Sequence, residues 1–184
     1  MRHVKRSALV ALPPGRLYAL INDIDSYPSF LPWCTAARVD SRTASQIVAT
    51  VAVRRGGLAA QFTTCNELTP ERRVHMRLVR GPFRELEGDW LLTPVSLPAA
   101  AVAGGAGAGR VAAGGSGVVV GAAPGAPEGT GGTDAAGTRI ELSLRFAFAN
   151  RLTAMVFEPL FEETAAQLVD AFVARARELA AGGG

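Results

Sequence analysis

The sequence predicts an α+β fold in which one curved antiparallel sheet wraps one long C-terminal helix. Three observations carry this. Apolar and polar residues alternate through segments near 47–53, 58–67, 74–78, 86–92 and 140–148. That period of two marks strands with one covered and one wet face. From about Arg151 to Ala180 the apolar spacing changes to the three-and-four pattern of a helix. Gly56-Gly57 and Gly81-Pro82 punctuate the alternating segments where turns belong.

Taken in order, residues 2–11 read as a first strand. Pro13 and Pro14 suit a helix start, and Leu17, Leu20, Ile21 and Ile24 then fall on one stripe. Residues 25–31 (DSYPSFL) form a turn or short helix, broken by Pro28 and Pro32. Ile47, Ala49, Val51 and Val53 share an inner face that Leu58, Ala60 and Phe62 continue after the turn. Val74, Met76 and Leu78 alternate with Arg73, His75 and Arg77. Leu86, Gly88, Trp90 and Leu92 oppose Glu85, Glu87 and Asp89. Ile140, Leu142, Leu144, Phe146 and Phe148 make the cleanest strand. The closing helix carries Leu152, Met155, Val156, Leu160, Leu168, Val169, Phe172, Val173, Ala176 and Leu179 as its stripe, with a bend expected where Pro159 removes a hydrogen bond.

Composition narrows the classes. Cys34 and Cys65 are the only cysteines and His3 and His75 the only histidines, too few for a disulfide framework or a structural metal site. The apolar stretch Ala8 to Leu12 ends at Pro13 and is shorter than the ~7–15 residues of a signal-peptide core. No apolar run approaches the ~20 residues of a membrane span. The expected location is cytoplasmic. Residues 97–137 are almost wholly Ala, Gly, Pro, Ser and Val, without an aromatic ring. Such a segment gains too little by burial to offset its backbone entropy, so it reads as a disordered insertion in a single domain of 184 residues. Its glycines fit neither GxGxxG nor a GK[ST] loop.

Longer words carry a resemblance. RSALV at Arg6–Val10, NDIDSYPSFLPWC at Asn22–Cys34, FTTCNEL at Phe62–Leu68, LVRGPFRELEGDWLLTP at Leu78–Pro94 and RIELSLRFAFANRL at Arg139–Leu152 span nearly the whole chain outside the insertion. In these words the chain resembles the coenzyme Q-binding START-like family, which includes the RatA (ribosome association toxin) and oligoketide cyclase/lipid transport groups. The resemblance implies a helix-grip fold, with a seven-stranded sheet curled around the last helix and a hydrophobic cavity between them. The Ala/Gly segment then falls between the sixth and seventh strands, where a long insertion costs little. Binding of ubiquinone or a similar isoprenoid lipid, in support of respiration, is implied, together with peripheral contact at the inner membrane for ligand exchange. For the RatA branch, the implied role is binding the large ribosomal subunit and blocking subunit joining.

The residues leave both a filled core and a ligand pocket open for the inner face. A pocket of ~300–1,000 Å³ is to be lined by Val51, Phe62, Met76, Leu86, Trp90, Leu144, Phe146 and Phe148 from the sheet, with Met155, Leu168 and Phe172 from the helix. Tyr27, Phe30 and Trp33 belong to a ring-rich loop that either caps the core or gates the cavity. Gly88 reads as a bulge or as space left on the inner face. Cys34, without a neighbouring base, reads as inert. Arg54, Arg55, Arg80 and Arg84 are the candidate RNA contacts, against a solvated-face reading in which Arg73 and Arg77 pair with Glu85, Glu87 and Asp89 across a hairpin. The formal charge of +3 is small for a nucleic-acid binder. Catalysis would need an acid or base aimed inward, and the inner faces offer only Thr64, Asn66 and Arg80. The residues therefore predict a non-enzymatic protein with no cofactor or metal, and the resemblance implies that it is a ubiquinone carrier. Ribosome binding is the alternative, and aromatase/cyclase activity comes third.

Overall fold

The computed structural model describes residues 1–97 and 135–181. Seven strands form one sheet: β1 Arg2–Val10, β2 Cys34–Arg42, β3 Gln46–Arg55, β4 Leu58–Thr69, β5 Arg73–Arg80, β6 Phe83–Leu97 and β7 Ala135–Phe148. Their order across the sheet is β1-β7-β6-β5-β4-β3-β2, and every neighbouring pair is antiparallel. Helix α1 (Pro14–Asn22), a 3₁₀ turn (Ile24–Ser26) and the short α2 (Tyr27–Phe30) carry the chain from β1 at one edge to β2 at the other. Helix α3 (Arg151–Ala181) lies against the sheet and touches β1, β7 and α1.

One strand escapes the periodicity. In β2 only Cys34 is buried and only Ala37 and Val39 are half-buried, so its alternation is short and weak. It is an edge strand with two register shifts against β3, a common way of closing off an exposed edge. The seven strands that the resemblance implies need this one.

The 97–137 insertion has narrower bounds than expected. Leu97 pairs with Ala135, Ser96 with Ala136 and Val95 with Gly137, so Leu97 and residues 135–137 belong to the β6–β7 hairpin. The rest of the expected insertion, including Val118–Val120, lies outside the described residues. Pro94 is tolerated in β6 because β5 pairs with β6 only as far as Leu91.

The stripe of α3 also differs. Met155, Val156 and Leu179 are exposed, Met155 by 75%. The Leu152 side chain lies outside the described residues. The buried face instead runs through Ala165, Val169, Phe172, Val173 and Ala176, and Phe157 and Phe161 join the aromatic cluster at the start of the helix. Ala154, Phe157, Phe161, Ala165, Leu168, Phe172 and Ala176 keep the spacing of three and four that one helix face requires. Helix runs unbroken through Pro159, whose side chain faces solvent.

Two apolar zones result. Leu17, Leu20, Ile21, Trp90, Ile140, Leu142, Phe172 and Ala176 pack between α1, α3 and the sheet. At the other end Phe83, Phe146, Phe148 and Phe161 form a ring cluster, with Phe146–Phe161 centroids 4.7 Å apart and Phe83–Phe148 4.6 Å apart. Gly88 sits in register, opposite Met76 and Leu144, so it is not a bulge. Its missing side chain leaves room for those two: an added Cβ would lie 2.7 Å from the Met76 methyl and 2.9 Å from Leu144 Cδ1.

Candidate functional site

Between the inner face of the sheet and α3 the packing leaves a hollow of about 110 Å³. This is smaller than the expected 300–1,000 Å³ and of the order of the ~150 Å³ that accommodates a benzene ring in an engineered apolar cavity. The two zones of rings and aliphatics hold its walls apart. Period two aims Ala49, Val51 and Val53 of β3, and Phe62, Thr64 and Asn66 of β4, toward it. Met76, Leu86, Trp90 and Leu144 form the floor, and Phe161, Thr164, Ala165, Leu168 and Phe172 of α3 form the roof. Ile24, Tyr27, Leu31, Trp33 and Cys34 close one side.

Of the candidate lining residues, Tyr27, Trp33, Val51, Phe62, Met76, Leu86, Trp90, Leu144, Leu168 and Phe172 face this hollow. Four do not. Met155 is turned to solvent. Phe146 is fully buried within the ring cluster. Phe148 lines a neighbouring recess of about 30 Å³ with Phe83, Phe157 and Leu160. Phe30 packs its edge on Tyr27 and Phe172, with the Arg175 guanidinium 6.0 Å from its ring centroid. Phe161, Thr164 and Ala165 escape the sequence reading because its stripe passes through Met155 and so takes the wrong face of the first turns. The spacing of Phe157, Phe161, Ala165 and Leu168 is the signal that marks the right one.

Trp33, Val53, Phe161 and Thr164 border both the hollow and the recess. Over this partition lies Arg55, 5.9 Å from the Trp33 ring and bonded to Glu163 (2.7 Å) and Gln167 (2.9 Å) of α3. Arg55 thus ties the end of β3 to the helix. The loop rings both cap and line: Trp33 is buried in the wall, while Tyr27 donates its hydroxyl to the Ile21 carbonyl. Burial pushes the Tyr27 hydroxyl far above its ordinary pKa, helped by the nearby Cys34 and Asp23. Burial also raises the Cys34 thiol, against the opposing effect of its hydrogen bond to the Ala36 carbonyl. Thr164 donates to the Leu160 carbonyl of its own helix. Asn66 differs from these: it is buried, and its Oδ1 has no hydrogen-bond partner. No carboxylate, histidine, lysine or arginine stands among the described residues around the larger hollow. Arg80, considered for the inner face, is exposed near Asp40 instead.

The outer face of the sheet is laced with charge pairs. Arg73 donates to Asp89 (2.6 Å), His75 Nδ1 lies 2.9 Å from the same carboxylate, and Arg145 pairs with Glu87. Arg77 pairs with Glu67 on β4 and not with the β6 carboxylates. These pairs occupy most of the arginines of β5. Burial opposes the Asp89 charge, but the hydrogen bonds from Arg73 and His75 prevail and hold its carboxyl below the usual range. A carboxyl depressed in the fold stabilises above its unfolded pKa of about 3.9 and loses that contribution as pH falls through the folded value. Asp89→Asn should therefore lower the urea midpoint at neutral pH and leave it nearly unchanged near pH 2, flattening the acid limb. Equal losses at both pH values would show that the charge is not what matters.

The sequence and the fold match known proteins. The family model for polyketide cyclase/dehydrase and lipid transport matches residues 10–173. The chain belongs to that family. Within the polyketide cyclase and lipid transport family, it is 35% identical over 179 residues to the protein named ribosome association toxin RatA of Escherichia coli K12, covering 97% of this chain and 89% of that one. Among solved structures, TTHA0849 of Thermus thermophilus superposes with a TM-score of 0.66 at 17% identity, covering 97% of this chain and 99% of that one. The Zhui aromatase/cyclase of Streptomyces sp. R1128 gives 0.65 at 16%, covering 96% and 93%. These structural matches place the helix-grip sheet and helix within the START-like architecture.

Proposed function

We propose that the protein associates with the ribosome, binding the large subunit and hindering subunit joining. The observation that carries this is the 35% identity to a ribosome association toxin along 97% of the chain. It reverses the order given by the sequence, in which a quinone carrier stood first. The surface offers a place for such contact. Antiparallel pairing gathers the β3–β4 turn, the β5–β6 turn and the β7–α3 junction at one end of the sheet. Arg54, Arg80 and Arg84 are exposed there, and none of them makes an ion pair among the described residues. Arg55, the fourth candidate, differs in being paired with Glu163.

Sucrose-gradient sedimentation of a lysate with added protein tests this. Co-migration with large subunits is expected, weakening steeply with salt because phosphate contacts release counterions. The double variant Arg54→Glu/Arg84→Glu should lose at least tenfold in affinity. Protein that stays at the top of the gradient at low salt would overturn the reading.

A second reading rests on the hollow itself: a small apolar ligand is held between sheet and helix. Burying one five-carbon isoprene unit is worth about 4 kcal/mol, so a ring or one such unit could be retained without any charged partner. No carboxylate, histidine or lysine among the described residues faces the space, and burial raises the pKa of the Tyr27 hydroxyl and the Cys34 thiol that do, which favours carriage or sensing over catalysis. Ubiquinone remains the candidate ligand of this reading. Organic extraction of purified protein followed by mass spectrometry should yield a quinone or related lipid. Repeatedly empty extracts would count against it.

A further inference from the structure

We propose that the hollow selects apolar ligands carrying a hydroxyl group, and that Asn66 is the residue that reads it. The inference rests on the second reading, that the hollow holds a ligand. Asn66 is 6% exposed, faces the space from β4, and leaves Oδ1 without any hydrogen-bond partner. A buried polar atom left unpaired destabilises the fold, so such atoms are rare unless a ligand or water completes them. The other polar groups in the wall are committed elsewhere: Tyr27 to Ile21 and Thr164 to Leu160. Thr64, two residues before Asn66 on the same strand face, adds a second hydroxyl to the wall. The remaining lining side chains are apolar apart from the indole N–H groups of Trp33 and Trp90, which can only donate, and the Cys34 thiol, which bonds the Ala36 carbonyl.

The chemistry of the amide sets the ligand class. Its oxygen accepts and its nitrogen donates, and a hydroxyl can do both. A hydroxyl therefore satisfies Asn66 whichever way the amide is turned. An anion does not suit the site, because no cation among the described residues faces the space to offset its desolvation. A volume of about 110 Å³ sets the scale at one ring. The class is thus a phenol-like head or a short branched alcohol, the head of a longer molecule included.

Phenol and toluene, nearly equal in shape, are the probes. Calorimetric titration of the intact protein should give measurable binding of both, and Asn66→Leu should raise the phenol-to-toluene ratio of dissociation constants at least tenfold. The same variant should melt no lower than the parent, since it removes an unpaired polar atom from an apolar wall. In the parent protein, phenol should shift the Asn66 side-chain amide resonances and toluene should leave them nearly in place. This measurement does not depend on the variant folding. An unchanged ratio with toluene still bound, or amide resonances indifferent to phenol, would overturn the role of Asn66 and leave the cavity reading intact. Failure of both probes to bind would overturn the cavity reading and the inference with it.

Discussion

Trp90→Ala should destabilise the protein by about 3–5 kcal/mol, the range for truncating a large buried ring. Trp90 is 2% exposed, sits on β6 between Val74 and Leu142, and meets the Phe172 ring at 5.1 Å. Phe172 in turn holds Tyr27 and Phe30 at 5.4 and 5.2 Å. The indole is therefore the link between the sheet, α3 and the loop that closes the hollow. Collapse cannot recover the loss, because the indole borders an existing space and its removal merges with it. Urea denaturation should show the midpoint shift with little change in slope, and Trp90→Phe should restore most of it. A loss below about 1 kcal/mol would mean that the site closes over, contrary to a rigid wall.

Gly81→Ala should cost about 2–5 kcal/mol, from two independent sources. Gly81 has φ +155°, a conformation open to glycine and strained by roughly 1–3 kcal/mol for other residues. Its added Cβ would also lie 2.6 Å from Phe62 Cβ and 3.2 Å from Phe62 Cα. Overpacking of this kind costs about 1–3 kcal/mol more, since Phe62 is pinned by Phe83 and Phe161. Gly57→Ala is the control: φ is +81° but nothing lies within 4 Å of the new carbon, so only the backbone part should appear. Equal losses at the two glycines, read from melting or urea midpoints, would show that the contact with Phe62 is not tight.

The comparison of these two glycines shows what was legible. Both Gly56-Gly57 and Gly81-Pro82 announced turns, and turns stand there. Only the structure tells them apart, because the close approach of β4 to Gly81 joins residues nearly twenty positions apart. Strands β3 to β7 were legible because one face is covered and one wet, which imposes period two on the sequence. Strand β2 escaped because an edge strand with little burial carries that constraint only weakly. The arginines illustrate the same limit. Their clustering was visible, but whether Arg77 meets Glu67 or Glu87 is decided by which neighbouring strand lies closer to its fork.

The sequence by itself determined the layer plan: a sheet with one apolar side, a helix to cover it, and a glycine- and alanine-rich stretch that interrupts one hairpin. Alternation and helical spacing are local properties, and local properties survive in a one-dimensional record. The tertiary structure alone decided that Met155 turns outward while Phe161 turns in, that a space of about 110 Å³ remains, and that Asn66 faces it unpaired. A hollow is a difference between the volume enclosed by the backbone and the volume of the side chains inside. No single residue encodes it, because it depends on the curvature of the whole sheet and on where the helix comes to rest.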